Sequence, residues 1–285
     1  MDFSEVRDNG TYKIKYGNNI TGEFEISNNS YDESIWKSVN FLRLLRCGED
    51  IPGVHSACHL NCRSMHPNGS SVPNYGGWHD AGDVSQFEIP TAEMAHAIID
   101  LALAVKDKDE LLYERLIEEA RVGINWLLRT RFGDGMRALA ITYSIWRKNV
   151  LTPDNKTVYS NVAENGPFEN FCASAALAKA YLVYNNEDKV FADWCLRSAK
   201  EDFEFAKDGY KQGIYTKRWG PNVDSQVCGH GIIAAIELYK CTLDSYYIDV
   251  SATYAKIVLA CQQSDTPDWD IPLRGFFYED PNHKW

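Results

Sequence analysis

The sequence predicts a mainly helical fold, a short β remnant followed by the antiparallel helix pairs of an α/α toroid. Three observations carry this. Residues 11–26 alternate with the two-residue period of strands, and the period then changes. From about residue 30 onward, Ala/Leu-rich stretches with helical spacing recur, each closed by Gly, Asn or Asp. The connections between them are alternately short and long, and no short repeat of the kind a solenoid requires is present. A toroid gathers its long connections on one face, where they carry function.

Composition narrows the function. The chain has 285 residues, 45% hydrophobic and 24% charged, enough for one large domain or one domain plus a fragment of another. Lys and Arg total 29 against 40 Asp and Glu, a net charge of −11 that repels polyanions and excludes nucleic acid as the main partner. No apolar run approaches the roughly 18–20 residues of a membrane span. No basic-then-apolar leader opens the chain, so any secretory signal was removed or never present. Eight Trp, 16 Tyr and 12 Phe exceed what disorder tolerates. Most pack cores, but flat rings also floor sugar-binding clefts, and with the acidic charge they lean toward carbohydrate.

Taken in order, Tyr12, Ile14 and Tyr16 share one strand face with Lys13 and Lys15 opposite, Gly17-Asn18-Asn19 turns the chain, and Phe24 and Ile26 resume the alternation. Two strands alone are marginal, so this piece reads as the end of a larger β domain. Ser30 with Glu33 has the spacing of a capping box, and Ile35, Val39, Leu42 and Leu45 give an apolar stripe. Further helices are expected at about 91–105, 109–130, 168–184, 187–207, 224–242 and 246–263. Leu112, Leu116, Ala120, Gly123 and Leu127 line one side of the second of these, and the Lys/Glu mixture at 106–119 reads as a solvated face. The long connections 131–166 and 209–223 carry Trp146 and Trp219, loop tryptophans suited to be sugar platforms. His96 reads as a core histidine. His230, near a helix start, reads more simply as structural than as cleft-facing. Cys172, Cys195, Cys228, Cys241 and Cys261 are scattered singly and read as small buried hydrophobes.

Chemistry concentrates between Cys47 and Asp83. Cys47, Cys58, His59 and His79 form a Cys2His2 set, which zinc fills as a tetrahedron with no position left for water. Such an ion would pin the irregular stretch 48–78. The spacing is not that of a zinc finger, His55, Cys62 and His66 offer rival ligands, and a disulfide or unmetallated thiols fit the same residues. In the turn Gly76-Gly77-Trp78-His79-Asp80-Ala81-Gly82-Asp83, glycines permit positive φ, so Asp80 and Asp83 can face one cleft as a water-activating base and its helper. A D-x-x-D turn also serves as a helix cap or a calcium loop, which makes calcium a second candidate ion.

The segment Gly77-Trp78-His79-Asp80-Ala81-Gly82-Asp83 resembles the signature of glycoside hydrolase family 9, the cellulase/endoglucanase family with an (α/α)6 barrel. Residues 10–33 resemble the last strands of the Ig-like module that precedes the barrel in one branch. Arg46-Cys47-Gly48 and Ala57-Cys58-His59 resemble that branch's zinc loops. The resemblance implies an Ig-like remnant over 1–27 and the first part of a barrel over 28–285. It implies a structural zinc on Cys47, Cys58, His59 and His79, Asp83 as catalytic base, Asp80 as its helper, and inverting hydrolysis of β-1,4-glucan. Trp78, Trp146 and Trp219 are the candidate sugar contacts, and a secreted or periplasmic location follows. The family's acid glutamate has no counterpart in a matching motif; Glu279 is merely near the end. Seven helices rather than twelve suggest a fragment, whose uncovered helix faces would favour association. Val84-Ser85-Gln86-Phe87 and Gly133-Asp134-Gly135-Met136-Arg137 depart from the usual pattern, opening a different β-glucan or a glucosamine-containing glycan as substrate. The rival expectations are a non-catalytic glycan-binding helical domain and, less favoured because four ligands fill the metal, a zinc hydrolase.

Overall fold

A computed structural model describes residues 2–60, 62–80, 85–143, 158–160, 164–217, 220–266 and 273–282. The chain divides into two compact units, Met1–Arg43 and Leu44–Trp285.

The first unit holds two small antiparallel ladders and most of a helix. β1 (Gly10–Tyr12) pairs with β4 (Phe24–Ile26) in the register Tyr12 to Phe24, and β2 (Lys15–Tyr16) pairs with β3 (Asn19–Ile20). Gly17, at φ +59°, turns the inner hairpin as expected. The predicted alternation does not run unbroken to Tyr16: β1 stops at Tyr12, and Tyr16 is exposed. The capping box is also absent. The Ser30 hydroxyl donates to the Ser27 carbonyl at 3.0 Å and accepts from the Ser27 N–H, closing its own turn, and α1 (Asp32–Leu44) begins two residues later with Asp32 and Glu33 in its first turn.

The second unit is built from three helical hairpins. They are α2 (Glu88–Val105) with α3 (Glu110–Arg129), α4 (Pro167–Tyr184) with α5 (Lys189–Lys211), and α6 (Asp224–Thr242) with α7 (Ser245–Cys261). α2, α4 and α6 lie side by side as an inner row, and each is backed by its partner. α4 is packed on every side, so all but three of its 18 residues are buried and it lacks a polar face. α3 and α5 border solvent and are amphipathic; the predicted stripe Leu112, Leu116, Ala120, Gly123 and Leu127 is buried throughout.

Capping separates the two ends of the hairpins. The outer helices follow short turns and start on aspartates: Asp109, Asp188 and Asp244 accept from the N–H groups of Leu112, Phe191 and Tyr246. The inner helices follow the long connections and start at Phe87, Gly166 and Val223 without a side-chain cap from that residue. The long connections therefore share one face, where the three inner helix N-termini gather, with the Gly166 N–H met by the Glu169 carboxylate at 2.9 Å. Short strands dress that face. β5 (Arg63–Met65) pairs with β6 (Ser71–Pro73), a hairpin inside the stretch expected to be irregular. β7 (Gln86–Phe87), β8 (Ala140–Tyr143) and β9 (Val158–Ser160) form a three-stranded sheet.

Two buried polar features lie beneath this face. Arg137 and Asp202, both fully buried, form a two-pronged pair (Nε to Oδ1 2.7 Å, Nη2 to Oδ2 2.6 Å), and Arg137 Nη1 donates to the Leu127 carbonyl. Asn170 donates to Asp202 and to the Gly135 carbonyl, so the 130–139 connection is tied to α4 and α5. The other feature is Glu88, in the first turn of α2, fully buried with neither carboxyl oxygen hydrogen-bonded. Burial pushes its pKa well above the ordinary value; Arg137 opposes this, and Glu169, Asp202 and Glu93 add to it. His96 lies half-buried between Asp100 (3.4 Å) and Glu237 (3.6 Å) rather than within the apolar core.

A raised folded-state pKa gives stability that is complete in acid and lost as pH rises through the folded value. Urea midpoints of the wild type should therefore fall relative to Glu88→Gln as pH rises above about 5, at no more than about 1.4 kcal/mol per pH unit. Parallel pH profiles for the two proteins would show that Glu88 is ionised in the fold.

Candidate functional site

The site begins with a clamp at the base of a loop. Arg46 precedes Cys47 and Trp78 precedes His79, and the two residues form an antiparallel bridge. Cys47 N–H donates to the Gly77 carbonyl at 2.9 Å, and His79 N–H donates to the Leu45 carbonyl at 2.8 Å. Both side chains meet one carboxylate. Glu119 of α3, fully buried, accepts from Arg46 Nε (3.1 Å) and Nη2 (2.7 Å), from Trp78 Nε1 (2.8 Å) and from Arg115 Nη2 (2.8 Å). Burial alone would raise the Glu119 pKa, but the bonds from Arg46 and Trp78 and the charges of Arg46 and Arg115 hold it below the ordinary value.

Glu119 is thus the exception on the expected solvated face at 106–119, where Lys106, Lys108, Glu110, Glu114 and Glu118 are exposed. It lies three residues after Leu116 and four before Gly123, on the apolar stripe, and that position was the available signal. Glycine shapes the clamp twice. Gly77, at φ +69°, lies against the Trp126 ring. Gly123 faces the Trp78 indole so closely that a Cβ there would sit 2.4 Å from its ring.

Trp78 is 4% exposed with its N–H committed to Glu119. It is a buried brace, which corrects its expected role as a sugar platform: stacking on a sugar needs an open ring face.

The clamp delivers four ligand-type side chains to one point. Cys47, Cys58, His59 and His79 are all buried, and one donor atom of each lies within 4.8 Å of the other three. Cys47 Sγ is 3.2 Å from His59 Nδ1, Cys58 Sγ is 3.3 Å from His79 Nε2, and the two sulfurs are 4.0 Å apart. A tetrahedral zinc with ordinary bond lengths has S···S edges of about 3.8 Å and S···N edges of about 3.5 Å, so the donor set fits that ion. The sulfurs are free thiols, well beyond a disulfide bond length. The hydrogen bond from Cys47, with His59 and His79 alongside, holds the Cys58 thiol far below its usual pKa, while burial pushes Cys47 up. His59 holds the left-handed conformation at φ +59°, rare for a residue with a side chain.

The rival ligands are placed elsewhere. His66 pairs with Asp134 at 3.0 Å. Cys62, buried and pushed up to about 12, stands outside the four-residue group, as does His55, whose Nδ1 faces the Ser56 carbonyl.

Asp80 follows His79 directly, is exposed, and donates its N–H to the Ser85 carbonyl at 2.8 Å. Asp83, Trp146 and Trp219 lie outside the described residues.

Comparison with known proteins adds the decisive observation, because the profile of Glycosyl hydrolase family 9 matches residues 31–278. The chain belongs to glycosyl hydrolase family 9. Its relatives include a cellodextrinase of Butyrivibrio fibrisolvens, 25% identical over 87% of this chain and 50% of that protein. Among solved structures, a metagenome-derived family 9 endoglucanase superposes with a TM-score of 0.68 at 22% identity, covering 90% of this chain and 51% of that one. A Zn-binding triple mutant of the family 9 endoglucanase J30 superposes with a TM-score of 0.66 at 20% identity, over 94% and 55%. The chain spans about half the length of these family 9 proteins. The fold is that of the family's (α/α)6 barrel, and the three described hairpins are part of it. No helix among the described residues is long and apolar enough to cross a membrane.

Removing the Glu119 carboxylate leaves the buried Arg46 charge without its main partner. Glu119→Ala should cost about 3–5 kcal/mol in urea unfolding, whereas Glu118→Ala, one residue away and 61% exposed, should stay within about 0.5 kcal/mol. Equal costs for the two would remove Glu119 from the centre of the clamp.

Proposed function

We propose that this family 9 chain serves an inverting hydrolase of β-1,4-linked glucan, with Asp83 as general base and Asp80 as its helper. The observation that carries the reading is the seating of His79 and Asp80. The Glu119 clamp fixes the backbone just before Asp80, and the four-ligand group fixes the side chain next to it. Asp83 follows three residues on in the sequence. In an inverting mechanism the base carboxylate takes a proton from water as that water attacks the anomeric carbon. A second carboxylic acid, roughly 6.5–9.5 Å from the base, protonates the leaving oxygen. That acid is not assigned among the residues of this chain. The substrate class follows from the relatives, which bear the names cellodextrinase and endoglucanase. Residues 1–27 fit the end of an Ig-like module and 28–285 the first part of the barrel. Trp146 and Trp219 remain the proposed sugar platforms. A secreted or periplasmic location suits a polymeric substrate.

Cys47, Cys58, His59 and His79 would hold zinc. Bound there, the ion supplies cross-linking rather than Lewis acidity, because four protein ligands fill its tetrahedron. This chain's residues do the rest: the clamp sets the loop ends, and His79 carries the rigidity to Asp80.

Asp83→Ala in the complete gene product, assayed for reducing-end release from cello-oligosaccharides, should lower kcat by about 10²–10⁴-fold, the worth of a positioned base. Full activity in the variant would overturn the base assignment.

Metal analysis of the purified protein should find zinc retained at this group. Cys58→Ser, or a strong chelator, should lower the melting temperature together with metal content. If the chelator abolished turnover while leaving the melting temperature unchanged, the ion would be catalytic instead.

A further inference from the structure

A second ligand group lies in the inner row, away from the loop cluster. Glu93 on α2, Cys172 on α4 and His230 on α6 offer donor atoms that all lie within 4.8 Å of one another. Their positions explain the convergence. Glu93 and Cys172 are each the sixth residue of their helices and His230 the seventh, so three adjacent parallel helices present them at one level, about 8 Å below the long-connection face.

His230 is oriented as metal-binding histidines are. Its Nδ1 lies 2.9 Å from the Gln226 carbonyl, so Nδ1–H donates there, and once the Nε2 proton that Glu93 favours is released, the lone pair of Nε2 points the other way. Phe168 packs edge-on against the ring at 4.7 Å and fixes its plane. Nε2 then faces a Glu93 carboxylate oxygen at 2.9 Å. Two acceptors at that distance need a cation between or beside them, either a proton or a metal. Cys172, 3% exposed, brings a thiol to the same point. The surroundings are acidic. Burial first, and then Glu88, Glu93 and Glu169 nearby, push the Cys172 thiol well above its usual pKa, so an ion bound here must displace the thiol proton.

We propose that Glu93, Cys172 and His230 Nε2 form a second divalent-metal site, of the zinc class. Thiolate, imidazole and carboxylate together select a borderline-soft transition ion over calcium or magnesium. Binding releases the Cys172 proton and the proton shared by His230 and Glu93 to solvent. Three protein ligands leave the fourth position of the ion to water, unlike the filled group at Cys47, Cys58, His59 and His79. Half-exposed Glu93 and partly exposed His230 give the ion its route in.

The test uses the zinc-loaded wild-type protein, with Co²⁺ added. A second equivalent should bind with a near-ultraviolet sulfur-to-cobalt band. Cys172→Ser should abolish that band, and Glu93→Gln and His230→Gln, at accessible positions, should weaken the second equivalent at least tenfold with the zinc-dependent melting temperature unchanged. Saturation at a single equivalent under excess Co²⁺ or Zn²⁺ would overturn the site and leave His230 and Glu93 an ion pair. A sulfur band that persists in Cys172→Ser would overturn it equally. Neither outcome bears on the hydrolase reading, which does not use these residues.

Discussion

One buried carboxylate organises the long-connection face. Glu119 receives four hydrogen bonds, two from Arg46 and one each from Trp78 and Arg115. A charge taken fully out of water is tolerable only when its lone pairs are met this completely. Arg46 and Trp78 are far apart in sequence but adjoin the ligands Cys47 and His79. Satisfying Glu119 therefore brings the two ends of a long loop together before any ion is bound, and an ion then adds to a geometry largely set by the protein.

The helical half of this architecture was legible because its signals are local. Asp109 and Asp188 mark the starts of α3 and α5, and the 112–127 stripe shows which face α3 buries. The ligand set was legible only through the resemblance, since spacing alone left Cys62 and His66 in contention. What separates them is tertiary: His66 is claimed by Asp134, 68 residues away. Glu119 escaped notice because a charge within a charged run reads as solvated, and only the third dimension supplies the arginines that bury it. The β5–β6 hairpin escaped for a similar reason. Its strands are three residues each, too short to show a period.

The inner row carries polarity of two kinds. Arg137 with Asp202 is fully matched and ties a connection to the helices beneath it. Glu88 is unmatched, and burial pushes its pKa well above the ordinary value. Their nearness to the starts of α2 and α4 places both on the side where the connections gather. That side differs from the aspartate-capped opposite side, whose short turns serve only to reverse the chain.

Gly123 shows how tightly this arrangement constrains sequence. Glycine in the middle of a helix sacrifices about 1 kcal/mol relative to alanine, yet α3 keeps one where the Trp78 indole needs the room. The two positions are therefore not free to drift separately. A descendant that exchanged the indole for a smaller side chain could recover helix stability with a single methyl at position 123, and that methyl would then block the tryptophan's return.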